Sequence, residues 1–353
     1  MEEQEIGKEM ITGASAGGYD YGDDVVLDEE VVRILTEAQN SNKERVIERI
    51  DLSGRRLKFL PEALGKIQGL IFLNLSKNHL QVLPDSISGL RKLEELDVSS
   101  NLLEGLPDSI GLLVNLKVLN VSGNKLQKLP ESIAGCRSLI ELDASFNNLM
   151  FLPTNIGYGL TNLQKLSIYL NKIRALPNSI CEMKSLEYLN AHFNAIHALP
   201  SAIGRLTNLQ VLNVSRNFSD LTELPESISD LTNLQELDIS NNQIRALPDT
   251  FYRLQNLRKL DCHQNPLVVP PIEIAVGGVE DVREYMVKIR MSSLQDEQRM
   301  QQQRQRLIEE NENGGWATWG ASLLQNVYSG VSQTVSGYFG SNSPKDPFLD
   351  QQL

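Results

Sequence analysis

The residues of this chain that could bind a metal ion or act as an acid or a base are its four histidines and a set of aspartates. The aspartates recur at equivalent positions of a repeating unit. The histidines are His79, His192, His197 and His263, and none lies in an HExxH motif or beside a cysteine pair. His192 and His263 occupy equivalent places three repeating units apart. Neighbouring strands lie about 4.8 Å apart, so these two side chains would be roughly 14 Å from each other, too far to share a metal ion. The sequence therefore predicts no metal site.

Catalytic motifs are also missing from the sequence. It contains no GxxxxGK[ST] phosphate loop, no GxGxxG after a strand and no GxSxG elbow. The recurring aspartates could be imagined as an acid and a base, but a carboxylate repeated in most units is more typical of a binding surface. We expect no enzymatic activity and no cofactor.

Composition narrows the class of partner and the compartment. The 353 residues carry a formal net charge of −12 with a pI near 5.0, which argues against nucleic acid because phosphate binding needs clustered Lys and Arg. Cys136, Cys181 and Cys262 lie far apart without a CxxC pair, which favours a reducing compartment. The sequence shows no secretory signal and no run of about 18 apolar residues. We expect a cytoplasmic location, with the nucleus or a peripheral membrane site as alternatives.

The elements that position the aspartates and histidines come from one frame, LxxLxLxxNxLxxLP, which recurs from residue 47 to residue 271. The repeats are 23 residues long, except for spacings of 24 from Asn147 to Asn171 and 25 from Asn217 to Asn242. The extra residues fall in segments 157–159 and 218–220, outside the strands, where we expect the chain to bulge. The asparagine place holds Asn78, Asn101, Asn124, Asn147, Asn171, Asn194, Asn217, Asn242 and Asn265, with Arg55 in the first of ten copies.

The frame predicts a local structure for each of its parts. Its leucines point inward, so each repeat buries one slice of a continuous core and no repeat folds alone. The LxL segment alternates with period two and predicts one strand of a parallel sheet. We expect the asparagine amide to bond to backbone groups where the chain turns inward. The Leu-Pro step, followed by an acidic residue, predicts a short helical turn on the opposite side.

The frame and its closing segments together resemble a known family. The LxxLP repeats are followed by Pro270, Pro271 and a segment from Gly278 to Tyr285. This pattern resembles the Ras-group leucine-rich-repeat proteins, and most of all the plant intracellular Ras-group-related leucine-rich-repeat proteins, over about residues 28–290. The predicted fold is an α/β solenoid, a leucine-rich-repeat horseshoe of ten 23-residue LxxLP-type repeats with a parallel concave sheet and helical caps at both ends. The resemblance implies a scaffold in intracellular signalling, with a Ras-type small GTPase, its effectors or a signalling kinase as candidate partner.

Five segments follow from these patterns. Residues 1–26 are acidic and predicted to be disordered, and 27–46 form an N-terminal helical cap that begins near Asp28. The leucine-rich-repeat domain covers 47–271. Residues 272–312 hold a C-terminal cap helix, with Val279, Val282, Met286 and Ile289 at helical spacing, and a Gln-rich helix whose weak heptad pattern favours a monomer. Residues 313–353 hold an uncharged amphipathic segment and a flexible tail.

The uncharged segment, residues 316–339, is a second candidate contact. Its large apolar residues recur three or four places apart, which indicates an amphipathic helix. It could dock on a partner or on the repeats, or make weak membrane contact. The absence of Lys and Arg favours docking on protein. The apolar positions are Trp316, Trp319, Leu323, Val327, Val331, Val335 and Phe339.

The main candidate site lies on the concave face, where equivalent slots line up across repeats. The slot between the two strand leucines forms an acidic column that could attract a basic partner surface. The slot after the strand is usually Ser but becomes Tyr169, His192 and His263. Large exposed aromatics among small polar residues are typical of an interface hot spot. For Phe146 and Phe193 an inward, core-filling orientation stays open. The predicted partner-binding residues are Phe146, Lys165, Tyr169, Leu170, Tyr188, His192, Phe193, Arg216 and His263.

Overall fold

The structure, a computed structural model, describes residues 29–40, 46–218 and 221–313, apart from the side chains of residues 30, 35, 37–40 and 309–313. The chain divides into two compact units, Met1–Arg290 and Met291–Leu353. The repeats and the candidate site lie in the first unit.

Each repeat contributes one three-residue strand to a single parallel sheet, which confirms the predicted solenoid of ten repeats. The strands pair in chain order, and each residue pairs with its equivalent in the next repeat. The middle residue is Leu or Ile and is buried in the first nine strands, while its neighbours face outward. The strands are β1 (Arg49–Asp51), β2 (Phe72–Asn74), β3 (Glu95–Asp97), β4 (Val118–Asn120), β5 (Glu141–Asp143), β6 (Lys165–Ser167), β7 (Tyr188–Asn190), β8 (Val211–Asn213), β9 (Glu236–Asp238) and β10 (Lys259–Asp261).

The asparagines form a buried hydrogen-bonded ladder, here called the asparagine ladder, and confirm the role predicted for them. At Asn124, Nδ2 donates to the carbonyl oxygens of Val98 (3.0 Å), Val121 (3.0 Å) and Ser122 (3.3 Å), and Oδ1 accepts from the N–H of Leu103 (3.0 Å). Closely similar bonds recur at Asn78, Asn147 and Asn194, among others. One side chain thus satisfies backbone groups of two repeats that water cannot reach.

Short helices follow the Leu-Pro steps on the side opposite the sheet. Most are 3₁₀ turns that begin directly after the proline, as at Pro84, whose φ of −68° suits this entry. Neighbouring turns pack so closely that a Cβ at Gly111 would collide with the carbonyl oxygen of Ser132. The 3₁₀ helices are Glu62–Lys66, Asp85–Gly89, Asp108–Leu112, Glu131–Gly135, Asn178–Glu182, Ile203–Arg205, Glu226–Asp230 and Phe251–Arg253.

The fifth repeat differs from this pattern because it is one residue longer. Where a bulge was expected, the chain forms a turn of α-helix; we number the N-terminal helix Glu29–Asn40 α1 and this turn, Ile156–Gly159, α2. The extra residue lets the N–H of Leu160 reach back to the carbonyl of Ile156 (3.0 Å), an α-helical bond in place of a 3₁₀ one. Of the longer insertion, Phe218 is described and residues 219–220 lie outside the described residues.

Helices stand at both ends of the repeats within the first unit. In α1, Val31 and Ile34 are buried in the hydrophobic core, whereas the predicted N-cap Asp28 lies outside the described residues. After β10 come α3 (Ile272–Val276) and α4 (Val279–Asn313), which spans both the predicted cap and the Gln-rich stretch. Val282 and Met286 of α4 are fully buried, so this part of the helix covers the apolar end of the last repeat.

The guanidinium of Arg283 in α4 satisfies backbone carbonyl groups at the C-terminal end of the repeats. It donates to the carbonyl oxygens of Leu254 (3.1 Å) and Leu257 (3.2 Å), which no further repeat would satisfy. In the second unit the described apolar side chains of α4, such as Met291 and Leu307, are exposed.

Candidate functional site

The outward face of the sheet presents two side-chain columns from the strands and two more from the turn that follows them. The first and third residues of each strand face outward, as at Glu95 and Asp97 of β3. The next two columns come from the second and third residues after the strand, Ser99 and Ser100 in this repeat, and the third is the slot before the ladder asparagine. These columns are the surface on which the predicted binding residues lie.

The third strand residue has a structural role that the sequence did not reveal. In most repeats this Asp or Asn accepts a hydrogen bond from the backbone N–H two residues later, as Asp97 Oδ1 does from Ser99 (2.8 Å) and Asn120 Oδ1 does from Ser122 (3.1 Å). This Asx turn fixes the end of the strand. Hydrogen bonds, above all from the backbone N–H of Ser53, hold the pKa of Asp51 below its ordinary value. The acidic column therefore shapes the turn with one oxygen of each carboxylate. At Asp51 and Asp97 the other oxygen accepts from the Asn of the next repeat, Asn74 (3.3 Å) and Asn120 (3.5 Å).

Aromatic rings join across the fifth to eighth repeats into a continuous stack, here called the aromatic ladder: Phe146, Tyr169, His192, Phe193 and Phe218. Phe146 meets Tyr169 edge-on with 5.2 Å between ring centroids, and Tyr169 stacks on His192 at 4.6 Å with an interplanar angle of 9°. His192 contacts Phe193 at 5.6 Å, and Phe193 contacts Phe218 at 5.6 Å. Each such pair contributes about 0.5–1.5 kcal/mol and holds the rings in place.

The backbone explains why the phenylalanines face outward. The residue before the ladder asparagine has a positive φ in every repeat from the second on: 66° at Gly123, 52° at Phe146 and 51° at Phe193. A left-handed residue turns its side chain out of the repeat, and for an L-residue other than Gly it costs about 1–2 kcal/mol. Phe146 is 52% exposed and Phe193 is half-buried outside the core, so the core-filling alternative for both is wrong. Leu170 occupies the same slot with a φ of 53°.

A hydrogen-bond network fixes the middle of the aromatic ladder. Asn190 Nδ2 donates to the hydroxyl of Tyr188 (3.0 Å), and Asn190 Oδ1 lies 2.7 Å from His192 Nδ1. An amide oxygen can only accept hydrogen bonds, and this one also accepts the backbone N–H of His192 (3.3 Å), so Nδ1 carries the proton between the two atoms. Burial lowers the pKa of His192, while Asp238 raises it and Arg216 lowers it. The lowered pKa favours the neutral imidazole, in which Nε2 is an acceptor.

The structure places the remaining predicted residues at different distances from the ladder. The guanidinium carbon of Arg216 lies 4.8 Å from the ring centroid of Phe193, so it joins the ladder as a cation on an aromatic face. Lys165 pairs with Glu141 (3.5 Å) on the neighbouring strand. His263 lies apart, on the last repeat, where Nδ1 is 2.8 Å from Asp261 Oδ1. The residues of the uncharged segment, from Trp316 to Phe339, lie outside the described residues.

Phe218, Met150 and Phe151 are exposed apolar residues that the sequence analysis did not include among the predicted partner-binding residues. Phe218 extends the aromatic ladder but lies in the insertion, outside the repeating frame. Met150 and Phe151, which are 52% and 50% exposed, follow Phe146 in the same repeat, in a loop slot that holds Gln127 and Lys128 one repeat earlier. Comparing that loop slot between repeats would have found them.

Other reactive groups of the described chain do not form a site. Burial raises the pKa of the Cys136 thiol to about 12 and that of Cys262 to about 11, which leaves both as unreactive thiols. In the described ranges no three His, Cys, Asp or Glu side chains converge as a metal site would require. No helix in the described part of the chain has the length and apolar character needed to cross a membrane.

Comparison with known proteins agrees with this geometry. A family model described as Leucine rich repeat matches residues 45–103, 91–149 and 207–267. Plant intracellular Ras-group-related LRR protein 1 of Arabidopsis thaliana is 66% identical over 330 residues, which are 94% of this chain and 63% of the relative. This chain thus spans less than two thirds of that relative's length. Plant intracellular Ras-group-related LRR protein 3 of the same plant is 61% identical over 99% of this chain and 73% of the relative.

Two solved structures with the same fold are receptors, and one of them contains a bound peptide hormone and a co-receptor. The Arabidopsis receptor kinase HAESA, in complex with the peptide hormone IDA and the co-receptor SERK1, matches with a TM-score of 0.53 and 26% identity over 63% of this chain and 42% of its own. A TDR receptor matches with a TM-score of 0.52 and 29% identity over 67% of this chain and 45% of its own. Both likenesses support the leucine-rich-repeat solenoid.

Proposed function

Since the chain belongs to the plant intracellular Ras-group-related LRR proteins, we propose that it is a non-enzymatic scaffold of intracellular signalling that binds a protein partner on the face of its sheet. The aromatic ladder is the centre of the contact. The cytoplasm is the proposed compartment, and the acidic net charge makes nucleic acid an unsuitable partner.

The observation that carries the proposal is the aromatic ladder, most of whose rings stand in slots where other repeats hold small or polar residues such as Ser, Gly, Lys, Asn and Gln. Phe146 and Phe193 sit in a left-handed conformation that Gly123 adopts without strain, and they bury no core surface. Folding therefore gains little from them. Exposed rings that are already ordered lose little entropy on binding, which is the character of an interface hot spot.

Two matched double variants test the proposal. Tyr169→Ser with His192→Ser places in both slots the Ser that seven other repeats use. Leu112→Ser with Val114→Ser removes residues that are 63% and 51% exposed at the end of a 3₁₀ helix, away from the sheet. We expect the first to lose partners captured by the full chain, by about tenfold or more in affinity, and the second to keep them. Equal capture by both variants would contradict the proposal.

Within this function, a Ras-type small GTPase or a signalling kinase is the partner class that we propose from the family name. Purified plant small GTPases, loaded with GDP or with a GTP analogue, are the direct probe. We expect binding to one nucleotide state that the Tyr169→Ser, His192→Ser variant loses. Equal binding of a GTPase to the wild type and to the variant would contradict the ladder as its binding site, and binding by none of the GTPases tested would move the proposal to the kinase class.

A second candidate function rests on the uncharged amphipathic spacing of residues 316–339, which suits a structural or peripheral membrane adaptor. Liposome flotation of the full chain against a version that ends at Asn311 separates the two. The adaptor function predicts that only the full chain floats, and equal failure to float would exclude it.

A further inference from the structure

The charge along the outward face of the sheet changes at the limits of the aromatic ladder. The third strand residue is Asp on β3 and β5, then neutral on β6, β7 and β8, and then Asp again on β9 and β10. Asn also stands on β2 and β4, but β6 to β8 form an unbroken neutral run, and the ladder residues Tyr169, His192 and Phe193 follow β6 and β7. The column reads Asp97, Asn120, Asp143, Ser167, Asn190, Asn213, Asp238 and Asp261 from β3 to β10.

The acidic parts of this face on either side of the neutral strands, at β2 to β5 and at β8 to β10, are shallow depressions. One, of about 180 Å³, is lined by Phe72, Glu95, Asp97, Val118 and Asp143, among others. The second, of about 140 Å³, is lined by Val211, Glu236, Asp238, Lys259 and Asp261, among others. Each combines carboxylates with an apolar wall, which suits the aliphatic stem and charged head of Arg or Lys.

The carboxylates nearest the ladder make hydrogen bonds but no ion pair with Lys or Arg in the described chain. Asp143 Oδ1 accepts from the backbone N–H and hydroxyl of Ser145, and Asp238 Oδ1 accepts the same two bonds from Ser240. Neither aspartate has a Lys or Arg within ion-pair distance in the described chain. Glu141 and Glu236 are partly balanced by Lys165 (3.5 Å) and Lys259 (3.3 Å), which are exposed surface pairs.

We propose that the face binds a linear partner segment in which an aromatic or aliphatic residue lies on the aromatic ladder between two basic residues, one in each acidic depression. Asp143 on β5 and Asp238 on β9 are four strand spacings apart, roughly 19 Å, which about six residues of an extended peptide would span. Acidic segments are repelled at both ends. This inference rests on the proposed function and adds the chemistry of the partner.

The repeats themselves supply a variant that removes charge without disturbing the fold. Asn replaces Asp at this position in β4 and β8, and Asn120 and Asn213 make the same Asx bond to the backbone. Asp97→Asn, Asp143→Asn, Asp238→Asn and Asp261→Asn combined therefore keep the turns and remove four negative charges. An unchanged melting temperature checks this.

The test is selection of short random linear peptides, displayed on phage, on the full chain. We expect enriched peptides to carry two Arg or Lys residues about five to seven positions apart with an aromatic or aliphatic residue between them. A synthetic consensus peptide should bind the four-Asn variant about tenfold more weakly than wild type, and its affinity should depend less on salt concentration. The Leu112→Ser, Val114→Ser control should bind the peptide with the affinity of wild type.

The outcomes separate this inference from the proposed function. Enrichment of acidic or uncharged peptides, no enrichment, or equal affinity of the four-Asn variant would overturn the basic segment. If the consensus peptide still loses affinity on Tyr169→Ser with His192→Ser, the ladder remains the binding site. If neither variant changes the affinity, both proposals fail.

Discussion

Repeats two to four and repeats five to seven share the same strand register and asparagine ladder but have different surfaces. In both groups each strand pairs with the next in the same register, and the asparagine ladder makes the same bonds, as at Asn124 and Asn194. The slot before that asparagine holds Lys77, Ser100 and Gly123 in the first group and Phe146, Leu170 and Phe193 in the second. The solenoid thus accepts different residue types in this slot, so the residues of this column can serve partner recognition.

The two groups of repeats also show that substitutions in the buried column and in the left-handed column affect stability for different reasons. In the buried column a missing group leaves unsatisfied backbone atoms, whereas in the left-handed column a large residue strains the backbone without filling the core. Stability therefore depends on the asparagines and binding on the rings. The predictions below test that separation, beginning with the largest effect.

Asn194→Ala should cause the largest loss of stability. It removes the bonds to Ile168, Ala191, His192 and Ile173 and leaves these groups without water. We expect the free energy of unfolding to fall by about 3 kcal/mol, measured by urea denaturation.

Asn208→Ala is the control for that loss, because Asn208 is exposed and makes a single bond, to the carbonyl oxygen of Lys184 (2.8 Å). We expect a loss of about 1 kcal/mol or less. Equal losses for the two variants would remove the distinction between the buried ladder and the surface.

Phe146→Asn should leave stability almost unchanged although it removes a large apolar side chain. Asn241 already occupies this slot with a φ of 58°, and Asn tolerates that region better than Phe. Relief of strain offsets the lost contact with Tyr169, so we expect a change within about 1 kcal/mol.

Leu149→Ala, three residues away, is the contrasting control. Leu149 is fully buried, and we expect its truncation to cost about 3 kcal/mol. A comparable loss from Phe146→Asn would show that Phe146 belongs to the core.

The smallest expected effect is on the titration of His192. Its pKa in the folded chain lies below the ordinary value of 6.5, mainly because of burial. As the pH falls, the unfolded chain takes up this proton first, so the contribution of His192 is present above the unfolded pKa and is lost as the pH falls through the folded one.

An NMR titration of the imidazole nitrogens measures this pKa directly. We expect Asp238→Asn to lower it further, since Asp238 favours the protonated form. A pKa above 6.5 in the folded wild type would contradict the half-buried, neutral ring.

The sequence was sufficient for the fold because the repeating leucines and asparagines have few other arrangements. It predicted the ten strands and the bonds of Asn124, and it singled out Tyr169 and His192 because they break a run of serines. It did not predict that Phe146 faces outward, since orientation depends on a φ that no residue type in that slot fixes. The Asx turn of Asp97 and the contact of Phe218 are tertiary features, so period and spacing could not show them.

The separation of fold from binding is tested most directly by one variant measured in two ways. Tyr169→Ser, His192→Ser, Phe146→Asn and Phe193→Asn together give repeats five to seven residues of the types found elsewhere in the same slots. Urea denaturation and partner affinity are then measured on the same preparation. We expect the free energy of unfolding to stay within about 2 kcal/mol of wild type while affinity falls by about a hundredfold. Unfolding of the variant, or unchanged affinity in a folded one, would contradict the division between the ladder that holds the repeats and the ladder that binds.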